Sequence, residues 1–223
     1  MIPPVLVLKN LVPESVRADL RAWFEQPDQL ADKRPDCESK APKWNQGNWP
    51  QQLLEPIIRY VHSSAYEVEM VQFFHNINSR FPVHADSGLG EQHQSIYQGV
   101  IIPLSVSGDA GTVFFQNYWT ARCSKFTKKS PPTQDLYQPN GELRNQVVSD
   151  YREVQGYSGR PFNQDAYNRY LQHLDYADLE GLEFDCYVPW IPGDVIVFPR
   201  EQLHAASSGP LPKLGVSIFT NRI

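Results

Sequence analysis

Apolar and polar residues alternate in short runs through much of the chain, which is the pattern of half-buried β-strands. The run that starts at Tyr66 shows it well, because Tyr66, Val68 and Met70 alternate with two glutamates. Glycine and proline, which favour turns, separate several of these runs. The pattern predicts strands over residues 5–8, 66–75, 96–104, 111–118, 183–188, 194–198, 204–206 and 214–221.

Helical spacing of apolar residues is found in three segments. A helix is predicted to begin at Pro13, where proline and the following acid suit a first turn and the apolar residues within 16–24 share one face. Further helices are predicted over residues 51–63 and 163–173, and residues 27–50 are predicted to form a loop. Helices at the front and strands behind favour a mainly β fold, with flanking α-helices packed on one face of the strand core.

Composition places the 223-residue chain among folded, water-soluble proteins, since 41% of its residues are hydrophobic and 20% are charged. No apolar run approaches the roughly 18–20 residues that span a bilayer, and the start lacks a basic leader, so neither a membrane protein nor a secreted one is expected. The three cysteines, Cys37, Cys123 and Cys186, are too scattered for a disulfide framework, which favours reduced thiols and a cytoplasmic location. The net charge of −5 argues against a general nucleic-acid binder.

Residues 119–170 differ from the rest of the chain in charge. They hold eight Lys/Arg and five Asp/Glu, a net charge of +3, which leaves −8 for the remainder. We interpret them as an irregular insertion within a single domain that spans residues 1–223. Long loops in compact domains are usually lids, binding loops or disordered segments. The four basic residues within 122–129 are most simply a solvated charged surface, and recognition of an anionic group on a substrate is the more specific hypothesis.

Three residues carry the sharpest chemical signal. His84 and Asp86 are two positions apart, so on an extended backbone their side chains project to the same side and can bind one metal ion together. His204 is the best candidate for a third ligand, because it follows a Gly-Asp turn at Gly193 and a buried strand. Two neutral imidazoles and one carboxylate form the facial triad of non-haem Fe(II) oxygenases, which leaves open positions on the metal.

This arrangement resembles the Fe(II)/2-oxoglutarate-dependent dioxygenase family. Its members typically carry His-x-Asp on one core strand, a distal histidine on another, and an arginine or lysine roughly ten positions later. Lys213 lies nine positions after His204, and the strands between the His-x-Asp pair and His204 follow the family's order. The resemblance covers about residues 66–118 and 183–221. It implies a double-stranded β-helix, which is a jelly-roll of two packed sheets.

The resemblance also assigns roles. The two histidines and the aspartate resemble the ligands of Fe(II). Lys213 resembles the cation that binds the far carboxylate of the co-substrate 2-oxoglutarate through a charge-assisted hydrogen bond. Tyr97, and less directly Ser217, is the candidate for a hydroxyl that assists it. Many relatives have Arg-x-Ser here, whereas Leu, Gly and Val separate Lys213 from Ser217 in this chain.

The reaction that the resemblance implies consumes 2-oxoglutarate and O₂, releases succinate and CO₂, and hydroxylates a substrate. Asp86 fills a position that halogenating relatives leave to a small residue, which favours hydroxylation or a related desaturation. The expected substrate is a small, anionic molecule that the sequence does not identify. No membrane partner is expected, and the oligomeric state stays open.

Other functions are compatible with the same residues. The oxygenase chemistry could act on a protein or a nucleic acid, although the acidic net charge disfavours the latter. The same triad could hold Zn²⁺ and activate water for hydrolysis, but no general base is evident and Lys213 would have no role. A non-enzymatic jelly-roll binding module is a further alternative, in which His84 and Asp86 belong to an ordinary turn.

Overall fold

The chain is described by a computed structural model over residues 4–27, 32–33, 37–44, 49–62, 65–77, 80–86, 96–119, 125–126, 136–137, 143–145, 147–148 and 154–223. Two helices of more than ten residues, α1 (Glu14–Glu25) and α2 (Trp49–Val61), precede most of the strands. No helix in this part of the chain is long and apolar enough to cross a membrane. In chain order the strands are β1 (Leu6–Leu8), β2 (Asp32–Lys33), β3 (Cys37–Lys40), β4 (Tyr66–Asn76), β5 (Ile96–Val106), β6 (Gly111–Tyr118), β7 (Lys125–Phe126), β8 (Leu136–Tyr137), β9 (Leu143–Asn145), β10 (Val147–Val148), β11 (Phe184–Pro189), β12 (Val195–Pro199), β13 (Gln202–Ala206) and β14 (Lys213–Arg222).

Two sheets form the core of the fold. The major sheet has seven strands in the order β1-β12-β5-β14-β4-β3-β2, and the minor sheet has three in the order β11-β6-β13. All pairings within both sheets are antiparallel. The prediction of a mainly β, jelly-roll fold with flanking helices is therefore confirmed, and each of the eight predicted strands is present with its ends shifted by a few residues.

The central strand β14 shows how alternation builds the layers. Val216 and Ile218 are fully buried on the outer face of the major sheet, in one apolar cluster with Leu20 of α1 and Leu54 of α2. Gly215 lies on the opposite face and packs against Trp190. Helices therefore cover one face of the major sheet, as the sequence predicted, and the other face turns inward.

The space between the two sheets holds a second apolar cluster. Ile101 and Phe198 contribute from the major sheet, and Phe114 and Val188 contribute from the minor sheet. Trp190 belongs to the same cluster, and its indole Nε1 donates to the Thr112 hydroxyl at 2.9 Å. Burial between the sheets fixes their separation and creates the interior in which the candidate site lies.

The outer face of the minor sheet is covered by residues 154–182, which hold a third apolar cluster with Phe115 and Leu203. The helix predicted over 163–173 is present in a different form, as the short α3 (Gln164–Ala166) followed by a π-helix at Tyr167–Leu171. The Asn163 side chain caps its start by accepting from the Ala166 amide. A 3₁₀-helix follows at Tyr176–Leu179.

The prediction of a loop over residues 27–50 is wrong in part, because β2 and β3 pair onto the edge of the major sheet. The sequence of β3 lacks apolar alternation, so pairing with the exposed edge of β4 decides its conformation. Lys40 at the end of β3 is buried, and its ammonium donates to the Phe24 and Gln26 carbonyls at the end of α1. These bonds satisfy carbonyl groups that a helix end leaves without partners.

About half of the proposed insertion lies outside the described residues. Within 120–153 the structure gives only the short strands β7 to β10, which form two separate two-stranded pairs. The basic residues Arg122, Lys128 and Lys129 fall outside the described part of the chain. The single-domain organisation and the role of this insertion therefore stay predictions.

Candidate metal centre

The structure brings His84, Asp86 and His204 together at one end of the inter-sheet space. His204 lies on β13, and His84 forms an antiparallel bridge with it, in which each backbone amide donates to the other's carbonyl at 2.9 Å. Val83 and Ala85 point to the opposite side and are buried in the outer cluster of the minor sheet. The extended backbone thus projects the side chains of His84 and Asp86 inward, as their spacing predicted.

Backbone carbonyls determine which ring nitrogen of each histidine faces the centre. His84 Nδ1 lies 2.7 Å from the Pro82 carbonyl oxygen, and His204 Nδ1 lies 2.9 Å from the Gln202 carbonyl oxygen. A carbonyl can only accept, so Nδ1 carries the proton in both rings. Both Nε2 atoms therefore offer a lone pair, which is the form in which histidine binds a metal.

The three ligand atoms surround a common point. His204 Nε2 lies 3.4 Å from one Asp86 carboxylate oxygen, and His84 Nε2 lies 3.9 Å from the other. One ligand atom from each residue lies within 4.8 Å of the others. Two lone pairs that face a carboxylate repel it unless a cation lies between them, so this arrangement fits a divalent metal with two nitrogen ligands and one oxygen ligand.

Electrostatics keep the ligands in their metal-binding forms. Burial lowers the pKa of His84 to about 4, with a smaller effect from His204, so its imidazole is neutral at neutral pH. Burial alone would raise the pKa of Asp86, but His204, His84 and Arg200 together outweigh it, and the pKa lies below its usual value. At neutral pH His84 therefore presents a neutral imidazole and Asp86 an ionised carboxylate. Neither has to change its protonation state to bind a metal ion.

Aromatic rings pack around the two imidazoles. The rings of Phe198 and Phe114 lie 4.9 Å and 5.7 Å from the His204 ring, and the Phe81 ring lies 5.5 Å from that of His84. The two imidazole rings themselves are 4.2 Å apart. These contacts restrict the ring orientations and exclude water from one side of the centre.

Lys213 begins β14 and is buried on the inward side of the sandwich. Its ammonium lies 4.5 Å from the centre of the Trp190 ring, a cation–π contact. Burial lowers the pKa of Lys213 to about 8, with a smaller contribution from Arg80. The charge of Lys213 in turn contributes to the low pKa of His84, so the two groups lie within electrostatic reach of one another.

Among the described residues, no carboxylate forms an ion pair with Lys213. A buried ammonium without an anion is costly, because burial removes its hydration and the ring face replaces only part of it. An anionic group that enters the interior beside Trp190 would supply the missing charge. The far carboxylate of 2-oxoglutarate fits this requirement.

The structure does not bring Tyr97 to Lys213. Tyr97 lies on β5 nine residues before Val106, the partner of Lys213 in the sheet, which is on the order of 30 Å along a strand. Its ring instead contacts Arg222 and His62. Tyr97 is therefore not positioned to share a carboxylate with Lys213.

Ser217 shares the inward face of β14 with Lys213 but lies four residues farther along, on the order of 13 Å at the backbone. The position two residues after Lys213 is Gly215, where a Cβ atom would lie only 2.8 Å from the Trp190 ring. Trp190 thus occupies the space that the serine of an Arg-x-Ser pattern would use. The departure from that pattern has a steric cause.

Sequence reasoning missed three polar residues around the centre. Arg200 is fully buried and bonds to the Asp86 carbonyl. Arg80 donates to the Gly209 carbonyl in the loop between His204 and Lys213. The Nδ1 atom of His173 lies 3.1 Å from the Ser208 hydroxyl of the same loop.

The environment of His173 confirms that it faces this region. Its pKa is lowered to about 4, mainly by burial and to a smaller extent by the charges of Arg80 and Lys213. No periodicity or motif marks these residues in the sequence, because the contacts join segments that are far apart in the chain.

No family model and no curated protein matches the chain. Several solved structures share its fold. The non-haem α-ketoglutarate-dependent epimerase SnoN from nogalamycin biosynthesis superposes on 98% of this chain and 78% of its own, with a TM-score of 0.55 and 11% identity. The match to a 2OG-Fe(II) oxygenase family oxidoreductase from Burkholderia pseudomallei covers 98% of this chain and 84% of that protein, with a TM-score of 0.54 and 10% identity. The match to HygX from Streptomyces hygroscopicus, solved with nickel and 2-oxoglutarate bound, covers 98% of this chain and 82% of HygX, with a TM-score of 0.52 and 12% identity.

Proposed function

We propose that the chain is an Fe(II)- and 2-oxoglutarate-dependent oxygenase. The observation that carries this proposal is the convergence of two proton-free Nε2 atoms and one carboxylate within 4.8 Å, at one end of a jelly-roll interior. The buried charge of Lys213 in the same interior, which has no ion-pair partner among the described residues, supports it independently. The shared fold with proteins of this type agrees with the proposal.

In this proposal His84, Asp86 and His204 would hold Fe(II), which when bound would activate O₂, the oxidant of the reaction. The protein residues supply geometry. The carbonyls of Pro82 and Gln202 hold both histidines in one tautomer, and the surrounding aromatic rings keep water away from the imidazoles. Asp86 contributes one negative charge and occupies the third ligand position.

Lys213 has the second role in the proposal. Its ammonium binds the far carboxylate of 2-oxoglutarate and so fixes the direction of the co-substrate toward the metal ligands. Trp190 supports this by placing an aromatic face against the cation and by separating it from water. Burying the ammonium is unfavourable in the ligand-free protein, but it makes the site selective for an anion.

The substrate in this proposal is a small, anionic molecule that becomes hydroxylated. Two proteins with the same fold have been solved with small molecules, HygX with hygromycin B and SnoN with nogalamycin RO. SnoN is an epimerase, so the fold alone does not select hydroxylation. The presence of Asp86 as a third protein ligand favours hydroxylation. The net charge of +3 in residues 119–170 favours an anionic substrate.

The proposal includes one domain over residues 1–223 and a reducing, cytoplasmic location. Supporting observations are the free thiol of Cys186 and the arrangement of the described elements around one sandwich. Burial raises the pKa of the Cys186 thiol to about 11, so this cysteine is an unreactive thiol at neutral pH.

The test is an anaerobic titration of the metal-free protein with Fe(II) and then 2-oxoglutarate. A weak visible absorption band that needs both components, followed by succinate release when O₂ and a substrate are supplied, is the expected result. A folded protein that gives no band but binds Zn²⁺ tightly would contradict the proposal and point to a zinc hydrolase. A protein that binds neither metal would point to a binding module.

The pKa of Lys213 predicts how 2-oxoglutarate binding depends on pH. Below about pH 8 the free ammonium is protonated and binds the carboxylate directly. Above this pH the protein must first take up a proton, so the KM for 2-oxoglutarate should rise by up to about tenfold per pH unit. His84 and His173, with pKa values of about 4, stay neutral throughout and do not contribute.

The measurement is the KM for 2-oxoglutarate between pH 6.5 and 9.5 in wild type and in Lys213→Arg. Arginine keeps its charge over this range, so the variant should show a flat profile whatever its absolute KM. A rise above about pH 8 that persists unchanged in Lys213→Arg would assign the effect to another group and contradict the prediction.

A further inference from the structure

Arg200 is the one arginine whose side chain ranks among the largest fully buried side chains of the described residues. It lies in the turn between β12 and β13, four residues before His204. Burying a guanidinium is unfavourable unless its donors are paired, and replacing a buried ion pair by apolar residues is often neutral or stabilising. Stability alone is therefore a weak reason for an arginine at this position.

The contacts of Arg200 connect two parts of the fold. Its Nε and Nη2 atoms donate to the Asp86 carbonyl oxygen at 3.1 Å and 2.9 Å. Its Nη1 atom lies 2.6 Å from a carboxylate oxygen of Glu69 on β4, and donates to Thr220 and Asn221 on β14. The guanidinium also lies 5.2 Å from the centre of the Phe219 ring.

The bond to Asp86 is reciprocal. The Asp86 backbone amide donates to the Arg200 carbonyl oxygen at 2.9 Å, while the Arg200 side chain donates to the Asp86 carbonyl. Both polar groups of the Asp86 backbone are therefore held by one residue. His84 and His204 are fixed by the backbone hydrogen bonds of their antiparallel bridge. Asp86 lies outside the regular strands, and its bonds to Arg200 take the place of such strand pairing.

We propose that Arg200 is a positioning residue, which preorganises Asp86 as a metal ligand and ties it to the major sheet. This inference rests on the proposed function, because it gives Asp86 the role of a ligand. His84 and His204 take their positions from the minor sheet, whereas Asp86 takes its position from β14 through the guanidinium, which donates to Thr220 and Asn221. The metal site is thus assembled across the sandwich, and the strand that anchors Asp86 also carries Lys213.

Arg200→Lys is the test variant, and Glu69→Gln is its matched control. Lysine keeps the positive charge, but a single ammonium does not reproduce the planar fork that reaches Asp86 and the major sheet together. Glu69→Gln removes the charged partner of the same guanidinium and leaves the Asp86 bonds in place. Both variants disturb the same buried cluster, so both are expected to lower the Tm of the metal-free protein.

Co(II) alone is the probe, because its visible spectrum reports ligand number and geometry without any turnover. Arg200→Lys is expected to weaken Co(II) binding by about 10- to 100-fold and to change the visible bands. Glu69→Gln should keep the wild-type spectrum and a Kd within about twofold of wild type. Wild-type affinity and spectrum in Arg200→Lys, or equal losses of affinity in both variants, would overturn the inference.

A second measurement covers the case in which Arg200→Lys does not fold. In the metal-free wild type, amide hydrogen exchange at Asp86 should be slowed about as strongly as at His204, because both amides donate to backbone carbonyls. Rapid exchange at Asp86 until metal is added would overturn preorganisation. Failure of wild type to bind Co(II) would instead refute the proposed function, and the inference with it.

Discussion

Replacing His204 by alanine is expected to abolish metal binding and 2-oxoglutarate-dependent succinate formation. The imidazole Nε2 of His204 lies 3.4 Å from the Asp86 carboxylate, the shorter of the two histidine–aspartate distances in the site. Loss of a residue that only orients a ligand typically costs 10- to 100-fold in metal affinity or activity, so loss of the ligand itself should cost more, on the order of 1000-fold. The measurement is Fe(II) affinity by anaerobic titration together with succinate release.

The matched control is His62→Ala, which removes another buried histidine. His62 directly follows α2, and its Nδ1 bonds to Gln98 while its ring packs against Tyr66 and Tyr97. This variant should lose stability and keep the wild-type Fe(II) affinity. If His204→Ala bound Fe(II) as tightly as wild type, or if both variants lost affinity equally, His204 would not be a ligand.

The centre of the site could be predicted because its residues follow local rules. Two residues separated by one position face the same way on an extended chain, so the shared direction of His84 and Asp86 needs no knowledge of the fold. The buried run before His204 predicted β12, and this placed the histidine at the start of the next strand. Strand β14 was predicted in the same way from its alternation.

The supporting residues could not be predicted because they act through contacts between distant segments. Arg200 and Asp86 are 114 positions apart, and nothing in the sequence pairs them. The hydroxyl partner of Lys213 was sought on β5 from strand order, but the antiparallel register places Tyr97 at the far end of the strand. Register depends on the packing of the whole sheet, so sequence order alone did not determine it.

The strand β3 at the edge of the major sheet could not be predicted from the sequence either. Residues 37–40 are largely polar, and pairing with β4 makes them a strand. Lysines are rarely fully buried, yet the ammonium of Lys40 in this strand is buried against the end of α1. Two lysines of this chain are therefore buried for different reasons, Lys40 with partners in the protein and Lys213 beside an aromatic ring.

Lys213→Met is expected to weaken 2-oxoglutarate binding strongly without destabilising the ligand-free protein. Removing one partner of a buried charge pair typically costs 2–5 kcal/mol, so the KM for 2-oxoglutarate should rise on the order of 100-fold. In the absence of 2-oxoglutarate the ammonium has no anionic partner among the described residues, and methionine fits against Trp190 without burying a charge. The Tm of the ligand-free variant should therefore equal or exceed that of wild type, measured beside the KM in a succinate assay.

Lys40→Met is the matched control, since it removes an equally buried lysine whose ammonium is bonded to two carbonyls. This variant should show the opposite behaviour, with a lowered Tm and an unchanged KM, because it leaves the end of α1 without its donors and lies away from the site. The comparison separates a lysine that stabilises the fold from one that binds a ligand. A fall in Tm for Lys213→Met as large as that for Lys40→Met, with an unchanged KM, would show that Lys213 has a structural role and that another group binds the co-substrate.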